Sequence, residues 1–159
     1  NKEISKYITF TVARDTTMEE GQVFNSLFTV TSNIERISDH AMNVAGYSQM
    51  MDIKAITVSE QAYREVDEIK RTCKSAMDIL AETDTDIAGW HSKVAQLEQQ
   101  IDDMTVEYRD NMYKRVKEGN CSYEGNILFS EMLTDFERIG DHALNIADEM
   151  LKIAKVYKL

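Results

Sequence analysis

The apolar positions of this chain recur at helical spacing over almost its whole length. Leu27, Val30, Ile34, Ile37, Ala41, Val44 and Ser48 advance by three or four residues, which keeps them on one face of a helix. Thr-Met-Glu-Glu at 17–20 has the form of a capping box, in which a hydroxyl and a carboxylate satisfy the first free amides. Together they predict a helix from 17 to about Met51 with that series as its inward stripe. Upstream, residues 2–13 read as a shorter helix, despite a weak strand preference in the β-branched run at 8–12, and residues 13–16 as a turn. Residues 52–56 read as a connection. Thr-Val-Ser-Glu at 57–60 is a second capping-box pattern, opening a helix through Val66, Ile69, Cys73, Met77 and Leu80. The residues at 82–86 favour caps and turns and break the pattern. The next helix carries Ile87, Trp90, Val94, Leu97, Ile101, Met104 and Tyr108 and ends near Gly119. Ser122 can cap the last, which reaches Tyr157 on a stripe of Leu128, Met132, Phe136, Ile139, Ala143, Ile146 and Met150. No proline interrupts any of this. The fold class is therefore all-α, with antiparallel helices joined by short connections.

One polar pattern is written twice. Residues 137–147 read Glu-Arg-Ile-Gly-Asp-His-Ala-Leu-Asn-Ile-Ala, and residues 35–45, 102 positions earlier, read Glu-Arg-Ile-Ser-Asp-His-Ala-Met-Asn-Val-Ala. Apolar stripes recur by accident of composition far more easily than charged ones. The repeat divides the chain: residues 57–159 read as a complete three-helix unit, and residues 1–56 as the same unit without its first helix. A two-helix half leaves its apolar stripe open, at roughly 25 cal/mol per Å², so the second half or a symmetry mate is expected to cover it.

At about 100° per residue, Glu137, Asp141, Asn145 and Asp148 share one face of the last helix, almost opposite its apolar stripe. Glu35, Asp39 and Asn43 do the same on theirs. Carboxylates four residues apart repel by a few tenths of a kcal/mol, and repeating that arrangement points to a compensating cation. Carboxylate and amide oxygens suit hard ions such as Mg²⁺, Ca²⁺, Mn²⁺ or iron. A third pair, Glu98 and Asp102, edges the stripe of its helix within reach of the one bearing Glu137. Solvated acids are the bland alternative. Arg36 and Arg138 are expected to reach carboxylates on adjacent helices, His40 and His142 to be packed, and His91 to be a weaker ligand candidate. Gly140 and Ala143 permit close helix approach.

Charge narrows the partners. With 18 Lys and Arg against 28 Asp and Glu the net charge is −10, which repels nucleic acid and anionic lipid and suits cations. Cys73 and Cys121 lie far apart, without metal-ligand spacing, and read as reduced thiols of a cytoplasmic protein. No apolar run approaches the ~18 residues of a membrane span, and no signal peptide is apparent. The chain opens abruptly inside a helical pattern, as a piece of a longer protein would.

At the duplicated motif the sequence resembles the PhoU domain. The runs Glu-Ile-Ser-Lys-Tyr-Ile at 3–8 and Lys-Arg-Val-Lys-Glu-Gly-Asn-Cys-Ser at 114–122 are similar to the PhoU-like C-terminal region of bacterial sodium/phosphate cotransporters. The resemblance implies two tandem antiparallel three-helix bundles, the first here lacking its first helix. It implies a non-catalytic role in phosphate homeostasis, in which free-standing members modulate a phosphate transporter and its sensor histidine kinase. It also implies metal clusters (iron, Mn, Mg, Ca or Zn) held by Glu-x-x-x-Asp pairs. By position, Glu98, Asp102, Glu137 and Asp141 make one site, and Glu35 and Asp39 half of another whose partner acids are missing. A homo-oligomer is expected, on the cytoplasmic side or as the cytoplasmic portion of an inner-membrane transporter.

Two other classes compete. A di-metal oxidoreductase in a helical bundle needs Glu-x-x-His ligands pointing into its core, but the residues three before His40, His91 and His142 are Ile37, Ala88 and Ile139. A metal-free coupling or dimerisation module would use the same acids to meet basic partners. No nucleophile arrangement and no glycine-rich phosphate loop is apparent.

Overall fold

The computed structural model describes residues 2–4, 6–7, 17–82, 86–119 and 122–157. Residues 2–4 and 6–7 are helical, and the expected continuation to 13, the turn at 13–16 and Cys121 lie outside the described residues. Four long helices follow: α1 (Met18–Lys54), α2 (Glu60–Leu80), α3 (Ile87–Lys117) and α4 (Tyr123–Tyr157). No strand occurs among the described residues.

The helix ends follow local chemistry. Thr17 caps α1 with both halves of the capping box formed, its backbone N–H donating to Glu20 at 2.8 Å while its Oγ1 accepts from the Glu20 N–H at 3.2 Å. Thr17→Ala is expected to cost about 1 kcal/mol, read as a lower denaturant midpoint with unchanged slope. α1 runs three residues past the expected end and stops where Ala55 turns left-handed at φ 51°. The second capping box does not form: α2 starts at Glu60, and Ser59 rather than Thr57 accepts from the Ala62 N–H at 3.2 Å. The hydroxyl one residue before the helix is the one that can reach an N3 amide. Asp86 and Ser122 cap α3 and α4 as their positions suggest, accepting from Gly89 and Gly125 at 3.0 Å.

α4 is the helix on which the others pack. It contacts α1, α2 and α3, and α2 also packs on α3. Its stripe becomes the core, with Leu133, Ile101, Val94 and Ile69 fully buried between helices; each such side chain contributes about 1.5–3 kcal/mol. Gly140 lets α3 approach: a Cβ there would sit 3.2 Å from Ile101 Cδ1.

The stripe expected on α1 is only partly buried. Leu27 and Ile34 are 39% and 51% exposed, whereas Phe129 and Phe136, 102 positions on, are 2% and 4% exposed. The side of α1 turned to α4 instead includes the polar Ser26 and Asn33 with Val23 and Met51, all buried. α1 has one helical neighbour among α2–α4 where α4 has three, so one flank stays open. There Ile34 and Ile37 line a groove with Met77, Leu80 and Trp90.

Polar groups complete the α1–α4 contact. His40 Nδ1 lies 2.5 Å from Asp135 Oδ1, and His142 Nδ1 lies 2.8 Å from Asn33 Oδ1. The Asn33 amide N–H donates to the Thr29 carbonyl at 2.8 Å. Its oxygen therefore faces His142, whose Nδ1 must carry the proton. The two imidazoles stack with centroids 5.5 Å apart. Each histidine of the duplicated motif thus meets the residue seven positions before the other, a reciprocal contact of the kind a two-fold axis produces. Both histidines are packed, as the sequence suggests. Burial, then the charges of His40 and Arg36, hold His142 below the ordinary imidazole value.

A candidate metal centre between two helices

Running antiparallel, α3 and α4 bring together residues of two Glu-x-x-x-Asp pairs. Glu98 and Asp102 lie one turn apart on α3 and Asp141 faces them from α4; one oxygen from each falls within 4.8 Å of the others. All three residues are half-buried. Asp102 Oδ1 is buried with no hydrogen-bond partner, an arrangement that costs about 1–3 kcal/mol unless something compensates. Burial first, then the negative charges of Asp102, Asp141 and Asp148, raise the Glu98 carboxyl above its ordinary value. Burial first, then Asp141, Glu137 and Asp103, raise Asp102. Three half-buried carboxylates, one with an unpartnered oxygen and two whose negative charge is resisted by their surroundings, fit a hard cation. Such an ion would neutralise the group and tie α3 to α4.

Glu137 stands beside this trio. Arg109 Nη2 donates to its Oε2 and to Thr134 Oγ1, both at 3.0 Å. Arg138 Nη1 donates to Asp141 Oδ2 at 2.9 Å. That pairing runs along α4 itself, not to an adjacent helix as the sequence suggested, because three residues is nearly one turn. At the other end His91 Nε2 sits 2.6 Å from Asp148 Oδ1. His91 thus faces a carboxylate of α4 and stands outside the group of three.

The acids do not point almost opposite the packed side, as the wheel indicated. α4 is wrapped by helices on three sides, so its acid face borders α3 and becomes the rim of a cleft. Glu35 and Asp39 are exposed on α1, and no second group of three potential ligands occurs among the described residues.

Sequence reasoning missed Arg109, Asp135 and Asn33. Arg109 follows Asp102 by seven residues and so shares its face two turns on, a signal available in the spacing. Asn33 and Asp135 are 102 residues apart, the offset of the motif, but lie just upstream of it. Cys73 is buried and its thiol is pushed up to about 12 by desolvation, leaving it unreactive near neutrality.

Residues 63–150, more than half of the chain, match the family model described as the PhoU domain. Over 163 residues the chain is 25% identical to the phosphate-specific transport system accessory protein PhoU homolog 1 of Thermotoga maritima, an alignment that covers 96% of this chain and 66% of that protein. The chain thus spans just under two thirds of the length of that relative. No solved structure matches it. No helix among the described residues is long and apolar enough to cross a membrane. The match runs through α2, α3 and most of α4, including Glu98, Asp102, Glu137 and Asp141, and places the chain in the PhoU domain family.

Proposed function

We propose that this chain is a non-catalytic regulatory domain of phosphate transport that binds a metal ion between α3 and α4. The observation that carries the metal reading is the buried, unpartnered oxygen of Asp102 inside a group of three carboxylates. Glu98, Asp102 and Asp141 are the ligands, with Glu137 the fourth acid in reach. Oxygen-only donors favour Mg²⁺, Ca²⁺, Mn²⁺ or iron over Zn²⁺, which prefers nitrogen and sulfur. Glu35 and Asp39 hold an ion only where another helix or chain supplies further acids.

The regulatory reading follows the family and the name of the Thermotoga relative, a transport-system accessory protein. Its partners are a phosphate transporter, separate or in the same polypeptide, or a phosphate-sensing histidine kinase, met on the cytoplasmic side by a homo-oligomer. The finer assignment, to the C-terminal region of a sodium/phosphate cotransporter, rests on the runs at 3–8 and 114–122. About eight hydrophobic spans encoded upstream would establish it, and a single extra helix would establish a free-standing regulator. The division into a partial repeat (1–56) and a complete one (57–159) is supported by the motif offset and the reciprocal histidine contacts.

A metal-free coupling module is the second reading. Arg109 and Arg138 favour it, because they already neutralise part of the cluster. Metal content separates the two. Protein purified without chelator is expected to carry bound metal that Glu98→Gln with Asp102→Asn loses; equal metal content in both proteins would remove the cluster as the site.

A further inference from the structure

Glu137 lies one turn from Asp141 on α4, yet stands outside the group that Asp141 forms with Glu98 and Asp102. Arg109 holds it there. A single nitrogen of the guanidinium donates to Glu137 Oε2 and to Thr134 Oγ1, both at 3.0 Å. The Thr134 hydroxyl gives its own hydrogen to the Ser130 carbonyl at 3.1 Å, so its oxygen meets Arg109 purely as an acceptor. The guanidinium is thus tethered across two helices at the end of the acid row. Arg138 differs: it bridges three positions along α4 and its side chain is the more exposed of the two.

Building on the metal reading above, we propose that Arg109 is the resident cation of the cluster. It withholds Glu137 from the ligand set, must release it before a fourth carboxylate can reach an ion, and thereby limits how much positive charge the site accepts. A guanidinium and a metal ion compete for the same lone pairs, and a carboxylate gains most from whichever it meets in less water. Charge counting gives the selectivity. The four carboxylates set against the two guanidiniums leave two net negative charges, which one divalent ion neutralises. Without Arg109, three would remain, a better match to a trivalent ion or a second cation.

Titration with Mn²⁺ and with Tb³⁺, a trivalent oxygen-seeking ion, tests this. Arg109→Gln is expected to bind Mn²⁺ about tenfold more tightly than wild type, the scale of one charge-assisted hydrogen bond, and to gain more for Tb³⁺ than for Mn²⁺. Adding Glu137→Gln to that variant should abolish the gain, whereas Glu137→Gln alone should change Mn²⁺ affinity little. Thr134→Val cuts the tether without touching an acid or Arg109 and should tighten Mn²⁺ binding by about threefold; it decides the matter if Arg109→Gln does not fold. Wild-type protein that takes up neither ion overturns the metal reading and this inference with it. Uptake by wild type with no gain in Arg109→Gln or Thr134→Val overturns this inference alone.

Discussion

Asp102→Asn should make the ion-free protein more stable and strip it of nearly all the stability that a metal ion confers. In the absence of an ion, Glu98, Asp102 and Asp141 crowd three negative oxygens within 4.8 Å. Each such repulsion is worth a few tenths of a kcal/mol at a helix surface. An amide at 102 removes one charge and offers an N–H to the acids around it. With ion present the balance reverses. A ligand at a hundred times its dissociation constant stabilises the native state by about 2.7 kcal/mol, and a site short of one carboxylate loses most of that. Thermal unfolding with and without Mn²⁺ reads both effects. Equal Mn²⁺-induced shifts in wild type and variant would mean that the ion binds elsewhere.

The cluster also fixes the sign of a pH dependence. Glu98 and Asp102 are raised in the folded state, so the native protein takes up protons at a higher pH than the unfolded chain. Their contribution therefore favours folding as pH falls from neutral toward the ordinary carboxylate range, where it is complete, and it is lost as pH rises through the raised folded values. Glu20 and Glu149 are lowered and work in the opposite direction. The informative quantity is accordingly the difference between wild type and Asp102→Asn, which should shrink as ion-free samples are acidified.

Glu65→Ala should come close to unfolding the protein. Glu65 and Arg115 are 5% and 6% exposed, the carboxylate of α2 clasped by α3. Glu65 Oε1 accepts from Arg115 Nη1 at 3.1 Å, and from Asn111 and Gln61 at 3.0 Å. A second contact, Nη2 to Oε2 at 2.9 Å, is near enough for charge pairing but is not aligned as a hydrogen bond. The guanidinium also lies over the Phe129 ring, 5.1 Å from its centroid. Removing the carboxylate strands a buried cation, which costs about 3–5 kcal/mol of a typical 5–15. Replacing both partners with apolar residues, Glu65→Leu with Arg115→Met, should recover most of the loss, since desolvating the pair offsets much of its attraction. A loss below about 1 kcal/mol in Glu65→Ala would show that water reaches Arg115.

Much of this architecture is already legible in the sequence. Apolar spacing places α2, α3 and α4, the caps at Thr17, Asp86 and Ser122 set where α1, α3 and α4 begin, and the stripe from Leu128 to Met150 is the side of α4 that packs. These features depend on groups within a turn of one another, so spacing alone fixes them. The Glu-x-x-x-Asp pairs at 98 and 137 are legible for the same reason.

The rest depends on which helix lies beside which. A helical wheel gives the direction of a side chain from its axis but not what stands there. The acid face of α4 therefore read as pointing away from the packed side, with Glu98 and Asp102 within reach; packing laid that face along α3 and brought Arg109 to it. Packing likewise settled which flank of α1 is buried, because Asn33 and His40 can leave water only where His142 and Asp135, about a hundred residues away, replace its hydrogen bonds. Glu65 is buried on the same terms, with Arg115 as partner. Sequence alone determined the helices, their apolar stripes and the acid pairs. Tertiary structure decided which polar groups meet, because burying a charge becomes tolerable only when a complementary group arrives from a distant part of the chain.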